Sequence, residues 1–160
     1  MKSLGLDISQ TSTGWAVLQD RSLVDYGYFQ FNKNNRLGDN LLLFYSYLET
    51  IVTKHPDLDF ICIEDTFFGK NIKTLKLLTR YSGVAIVACR KLLPKARILV
   101  LTVASIRSAY FPGRKLDKDE VYKYICTDYK LGNIPDDVTD AIAVASFPFL
   151  GKKIDKKWEI

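Results

Sequence analysis

Four acidic residues in this 160-residue chain sit where acids need a reason. Asp7 lies inside an apolar segment, between Leu6 and Ile8, and Glu64 closes the apolar run Phe60-Ile61-Cys62-Ile63. Asp137 and Asp140 are three residues apart in a stretch with helical patterning, so both point to one side of that helix. A carboxylate in a sheet centre loses its hydration and is costly unless something compensates its charge. Mg²⁺ and Mn²⁺ do this well, because they prefer hard oxygen ligands. Three or four acids from separate elements can hold two such ions about 4 Å apart. That arrangement orients a water, lowers its pKa and stabilises both oxygens of a phosphodiester displacement. Taken singly, Asp137 and Asp140 also read as first-turn acids favoured by a helix dipole. Asp7 has no such ordinary explanation. The only histidine, His55, precedes Pro56 at a helix end and reads as a surface residue. One histidine supports no Ser-His-Asp or Cys-His arrangement.

The formal charge of +5 is unevenly spread. Residues 1–66 carry 5 basic and 9 acidic side chains, residues 67–118 carry 12 basic ones against Asp117 alone, and residues 119–160 carry 6 against 8. Such a density of Lys and Arg favours a polyanion, because neutralising phosphates releases counterions. The alternative is a basic surface that only keeps the protein in solution. Lys73, Lys76 and Arg80, spaced by three and four with Lys70 just before them, form one helical stripe that reads as phosphate-binding. Phe67 and Phe68 lie between Glu64 and that stripe. An exposed aromatic there stacks on a base or unstacks a pair, whereas a buried one is core.

The elements that must position these residues follow from periodicity. Leu4–Ile8, Gly14–Leu18 and Leu23–Phe29 are short, β-rich and separated by polar turns, as in an antiparallel meander. Leu37, Leu41, Phe44, Leu48 and Ile51 predict an amphipathic helix over 36–54, closed by Pro56. Residues 60–64 read as a buried strand, 71–93 as a long helix and 97–101 as another strand. Helices are expected over 103–111, from a cap at Asp117 or Asp119 to about 129, and from Asp136 to Phe147. Phe111-Pro112-Gly113-Arg114 reads as a turn. Three antiparallel strands followed by strands added through helical crossovers give a mixed α/β sheet, the ribonuclease H-like arrangement. That fold hosts nucleases, transposases and sugar kinases, so it assigns no function alone.

Length suits one domain over residues 1–150, with a basic tail over 151–160 that reads as a frayed, solvated end. The apolar runs are far shorter than the roughly 18 residues a membrane span needs. Asp7 falls where a secretory leader needs apolar residues, and Cys62, Cys89 and Cys126 form no C-x-x-C pair. A cytoplasmic protein with no membrane partner is expected.

Four segments together resemble the RuvC-type Holliday-junction resolvases. They are Gly5-Leu6-Asp7-Ile8-Ser9-Gln10-Thr11-Ser12-Thr13-Gly14-Trp15-Ala16-Val17, Ile63-Glu64-Asp65-Thr66-Phe67-Phe68-Gly69-Lys70-Asn71, Gly83-Val84-Ala85-Ile86-Val87-Ala88 and Asp137-Val138-Thr139-Asp140-Ala141-Ile142-Ala143-Val144-Ala145. They run in order across residues 3–147. The chain departs from the family where D-P-G is usual, reading Asp7-Ile8-Ser9, and its short length with this drift is similar to a bacteriophage version acting in host cytoplasm.

The resemblance implies a homodimeric endonuclease that nicks opposed strands of a four-way junction with Mg²⁺ or Mn²⁺, two ions per site. By position, Asp7, Glu64, Asp137 and Asp140 would be its metal-binding carboxylates. Phe67 falls at the family's junction-wedging aromatic, Lys118 at a basic residue near the scissile phosphate, and Arg107 close to another. Arg114 and Lys115 extend the DNA-binding set. Three-way, flap and fork junctions are further expected substrates. The run from Gly83 to Cys89 is either core or the place where two subunits meet. Two rival classes are a silent branched-DNA-binding module, and an ATP-binding sugar-kinase-like protein suggested by Asp7 with Thr13-Gly14. The latter needs two such domains and has no use for the terminal acid pair.

Overall fold

The structure, a computed structural model, describes residues 1–66, 71–151 and 154–160. Three strands come first: β1 (Lys2–Ile8), β2 (Ser12–Gln19) and β3 (Ser22–Gln30). Helix α1 (Leu37–Lys54) leads to β4 (Phe60–Glu64), and α2 (Ile72–Leu92) leads to β5 (Arg97–Leu101). Three more helices follow, α3 (Val103–Tyr110), α4 (Lys118–Asp128) and α5 (Asp136–Ser146). The strands form one sheet in the order β3-β2-β1-β4-β5, with β1, β2 and β3 antiparallel and β4 and β5 added parallel. This is the mixed five-stranded sheet expected from the order of the elements.

Alternation along the strands divides the core into two layers. Leu4, Leu6, Trp15, Val17, Ile61 and Ile63 face α1 and α2. Ala16, Leu18, Cys62, Leu99 and Leu101 face α3, α4 and α5. Helix α5 is buried along nearly its whole length and is built from small residues, Ala141, Ala143 and Ala145 among them. It lies so close to the sheet that a Cβ on Gly5 would sit 2.2 Å from the carbonyl oxygen of Ala141. Ser3 on the same strand face donates a hydrogen bond to the carbonyl of Ala145 at 2.6 Å. Ser3, Gly5 and Asp7 alternate onto one face of β1, and that face looks at α5.

Two expectations are corrected. His55 is not a surface residue: it is 8% exposed, and its Nε2 lies 2.7 Å from Asp25 Oδ2 on β3. Lys54 reaches the same carboxylate oxygen at 2.7 Å, so α1 is tied to the sheet edge at its C-terminal end. The chain's end is not frayed over its described part. Trp158 packs edge-on against Phe147 with ring centroids 5.0 Å apart, and Glu159 pairs with Leu99 on β5. Arg97 donates two hydrogen bonds to the Glu159 carboxylate, at 3.0 and 2.9 Å. Lys152 and Lys153 lie outside the described residues. No helix among the described residues is long and apolar enough to cross a membrane. Cys62, Cys89 and Cys126 are all free thiols.

Candidate active site

The sheet register brings three of the acids together before any side chain is placed. Strands β1 and β4 run parallel with Leu6 opposite Ile63, so Asp7 and Glu64 leave adjacent strands at the same end. Each lies two residues beyond a member of the Gly5–Cys62 pair, which faces α5, so both carboxylates emerge on the α5 side. On the other flank Asp7 pairs with Gly14 of β2. A Cβ on Gly14 would meet the backbone carbonyl of Asp137, so the first turn of α5 rests directly on that strand. Asp140, one turn later, faces the same cleft.

The cleft holds about 180 Å³ and is lined by Glu64, Asp140, Arg107, Lys118 and apolar side chains of α3 and α4. A capping box sets Lys118 at the first position of α4: Asp117 accepts from the Glu120 N–H at 2.8 Å, and Glu120 accepts from the Asp117 N–H at 2.9 Å. From there the Lys118 ammonium reaches Asp136 at 3.2 Å and Asp140 at 3.8 Å. Arg107 approaches from α3.

The electrostatics follow from crowding acids in a half-buried place. Burial pushes the Asp7 carboxyl well above the usual carboxylate range, and the charges of Glu64, Asp140 and Asp137 push it further, against the pull of Lys118. Glu64 is pushed up to about 7, first by burial and then by Asp140, with Arg107 and Lys118 opposing. Asp140 is also raised, mainly by burial, despite Lys118. Burial lowers the Lys118 ammonium, but its hydrogen bond to Asp136 and the surrounding acids raise it overall. A negative well of this kind stabilises positive charge brought into it.

Among the described residues, no three of these acids stand close enough to hold one ion between them. Their chemistry nonetheless fits Mg²⁺ or Mn²⁺. The donors are all hard carboxylate oxygens, and among the described residues none donates a hydrogen bond to the carboxylate of Asp7 or Glu64, whose backbones are held in the sheet. Asp7, Glu64, Asp137 and Asp140 are the residues that could hold such ions.

The expected DNA-contacting residues fall in three groups. Lys73, Lys76 and Arg80 are exposed along α2, and the spacing continues their line to Gly83 and Val87, both also exposed. Arg114 and Lys115 are exposed in the segment leading to Lys118. Phe67, Phe68 and Lys70 lie outside the described residues. The run from Gly83 to Cys89 is split, since Ala85, Ala88 and Cys89 are core while Gly83 and Val87 face outward.

Sequence reasoning missed three neighbours of the acids: Ser12, which donates to Asp137; Asp136, which holds Lys118; and Gly14, which seats α5. The only available signal was alternation, which puts Ser12 and Gly14 on one face of β2.

The family model for crossover junction endodeoxyribonuclease RuvC matches residues 3–147. The RuvC of Ruminiclostridium cellulolyticum is 32% identical, the match covering 89% of this chain and 87% of that protein. The RuvC of Finegoldia magna is 29% identical over 96% of this chain and 95% of its own. Thermus thermophilus RuvC, solved in complex with a Holliday junction substrate, has the same fold: TM-score 0.80, 14% identity, 94% of this chain and 93% of that chain. The chain belongs to the RuvC family of crossover junction endodeoxyribonucleases.

Proposed function

We propose that this chain is a metal-dependent, structure-selective DNA endonuclease that resolves four-way junctions by paired phosphodiester hydrolysis. One observation carries the reading: Asp7, Glu64 and Asp140, from β1, β4 and α5, meet on one side of the sheet beside two cations, Lys118 and Arg107. The names of its relatives and the junction-bound Thermus thermophilus RuvC support the same substrate. Two Mg²⁺ or Mn²⁺ ions supply the chemistry when bound, lowering the pKa of a water and stabilising the attacking and leaving oxygens.

The chain's own groups have divided roles in this reading. Asp7, Glu64, Asp137 and Asp140 hold the ions. Lys118, kept near the acids by Asp136 and Asp140, faces the charge that develops on the phosphate. Arg107 does the same from α3. Lys73, Lys76 and Arg80 bind the backbone of one arm, with Arg114, Lys115, Lys70 and the aromatic pair Phe67 and Phe68 as further contacts. Phosphate contacts position without reading sequence, so recognition rests on junction shape, and three-way, flap and fork DNA are within reach of the same surface. Two opposed nicks on a two-fold junction require two active sites, so the protein acts as a homodimer. Val87, 64% exposed on α2, and Leu42, 66% exposed on α1, are apolar side chains available for such a contact. Residues 1–150 form the nuclease domain, and action in the cytoplasm agrees with three free thiols.

The test is incubation of purified protein with labelled four-way, three-way and linear DNA, with and without Mg²⁺ or Mn²⁺. Metal-dependent symmetrical nicks in the four-way junction are expected, with linear DNA left whole. Asp7→Asn and Glu64→Gln should abolish nicking while junction binding in Ca²⁺ stays within about twofold. Cleavage of linear DNA at an equal rate, or nicking unchanged by chelation, overturns the reading.

A further inference from the structure

Ser12 stands at the start of β2, and its Oγ contacts the Asp137 carboxylate across 125 residues of chain. The Ser12 hydroxyl is the donor and the carboxylate oxygen accepts. Ser12 itself is held by Ser9 in the β1–β2 turn. The Ser9 Oγ lies 3.0 Å from both the Oγ and the carbonyl oxygen of Ser12, and accepts from the Ser12 N–H at 3.1 Å. The Ser9 N–H closes the turn onto the Ser12 carbonyl at 2.8 Å. Ser9 is the third residue of the Asp7-Ile8-Ser9 departure from the family's D-P-G, where glycine would offer no side chain.

The backbone of Asp137 is fixed by the same strand, since Gly14 lies two residues beyond Ser12 on the same face and meets the Asp137 carbonyl. One strand therefore fixes both ends of one acid. Among the described residues Ser12 is the only group bonded to the Asp137 carboxylate, and it engages one oxygen, Oδ2. The Lys118 ammonium contacts Asp136 and Asp140 instead.

We propose that Ser12, backed by Ser9, is a positioning residue that fixes the Asp137 carboxylate through one oxygen and leaves the other free to ligate a divalent cation. The inference rests on the ligand role given to Asp137 above. A hydrogen bond to an ionised group is about twice as strong as a neutral one, and it removes the rotamer freedom that an acid on a helix's first turn otherwise keeps. Such outer partners of metal ligands are typically worth 10–100-fold in metal affinity.

The test measures Mn²⁺ binding to the DNA-free protein by the loss of the free-ion EPR signal, alongside nicking as a function of Mn²⁺. Ser12→Ala should raise the Mn²⁺ concentration for half-saturation about tenfold in both assays. Ser12→Thr, which keeps the hydroxyl, should stay within about threefold of the unaltered protein, and Ser9→Ala should fall between them. Junction affinity in Ca²⁺ should be unchanged for all three. If Ser12→Ala leaves Mn²⁺ binding unaltered while Asp137→Asn weakens it, the positioning role falls and the ligand assignment stands. If Asp137→Asn also leaves Mn²⁺ binding unaltered, the ligand assignment itself falls. A threonine variant as impaired as the alanine one assigns the effect to shape and overturns the hydroxyl's role.

Discussion

A side-chain carbon added to Gly14 would lie 1.9 Å from the carbonyl oxygen of Asp137 and 2.2 Å from its carbonyl carbon. Both obstacles are backbone, so the clash is relieved only if the first turn of α5 lifts from β2. Overpacking of this kind costs about 1–3 kcal/mol, and more where backbone must move. Gly14→Ala should therefore lose about 3 kcal/mol in urea denaturation and carry Asp137 away from Asp7. Gly5→Ala, whose new carbon would meet Ala141 and Ala145 at the middle and far end of the same helix, should cost as much stability. A Gly14→Ala protein within 1 kcal/mol of the unaltered one would show that α5 is not seated as described.

The crowded carboxylates predict an unusual pH dependence. Burial and neighbouring acids raise the folded-state pKa of Asp7 and Asp140, and that of Glu64 to about 7. A raised folded pKa means the folded state holds protons more tightly than the unfolded chain. The associated stability is fully present below the unfolded value near 4.5 and is lost as pH rises through about 7. In EDTA, thermal stability should therefore fall between pH 5 and pH 8. Each pKa unit is worth about 1.4 kcal/mol, so Glu64 alone contributes on the order of 1–3 kcal/mol after allowance for its partial exposure. Glu64→Gln should flatten much of this fall and raise the melting temperature at pH 8 by several degrees, at roughly 2–4 °C per kcal/mol. Added Mn²⁺ should stabilise the unaltered protein more at pH 8 than at pH 5.5. A melting temperature independent of pH across this window would contradict the crowding.

What could be read from sequence and what could not divide by range. Asp7 announces itself because an acid between Leu6 and Ile8 contradicts its own strand, while the sequence offers Asp117 or Asp119 as a cap and the structure selects Asp117, whose side chain accepts from the Glu120 N–H. The Asp137–Asp140 pair showed its common face through helical geometry alone. These signals are local. His55 was misread because its partner, Asp25, sits 30 residues earlier on an edge strand whose register no short pattern encodes. The Ser12–Asp137 bond was invisible for the same reason, since it exists only once α5 lies on β2. Trp158 lies in a segment that reads as a solvated end because Lys152, Lys153, Asp155, Lys156 and Lys157 crowd it, yet its large aromatic side chain finds Phe147.

The basic line on α2 predicts a measurable salt response. Lys73, Lys76 and Arg80 are exposed and project from one side of the helix that follows β4, the strand carrying Glu64. Each phosphate neutralised adds about 0.9 to the slope of log affinity against log salt. Replacing all three by Ala should make that slope for four-way junction DNA shallower by about 2–3, with weaker binding at low salt and little change in melting temperature. An unchanged slope would remove this line from the DNA interface.

The docked end of the chain predicts a stability effect separable from catalysis. Trp158 meets the buried Phe147 edge-on, and Phe147 directly follows α5, which carries Asp137 and Asp140. The Ile160 N–H also donates to the Ile98 carbonyl at 3.1 Å, so the last residues cover the otherwise open edge of β5. Covering an edge strand removes a template for pairing with other chains. The Arg97–Glu159 pair is substantially exposed on both sides, so solvent screens it and it adds little. Most of the end's contribution must then come from the half-buried indole. Trp158→Ala should cost about 1–2 kcal/mol in denaturant unfolding, from lost apolar burial and the aromatic contact, and increase association at high protein concentration. Glu159→Gln should move the unfolding midpoint much less than Trp158→Ala does. Neither should alter the Mn²⁺ dependence of nicking at 25 °C, because the contact lies at the opposite end of α5 from the acids. A Trp158→Ala protein that unfolds at the same denaturant concentration as the unaltered chain would leave the docked end without an energetic role.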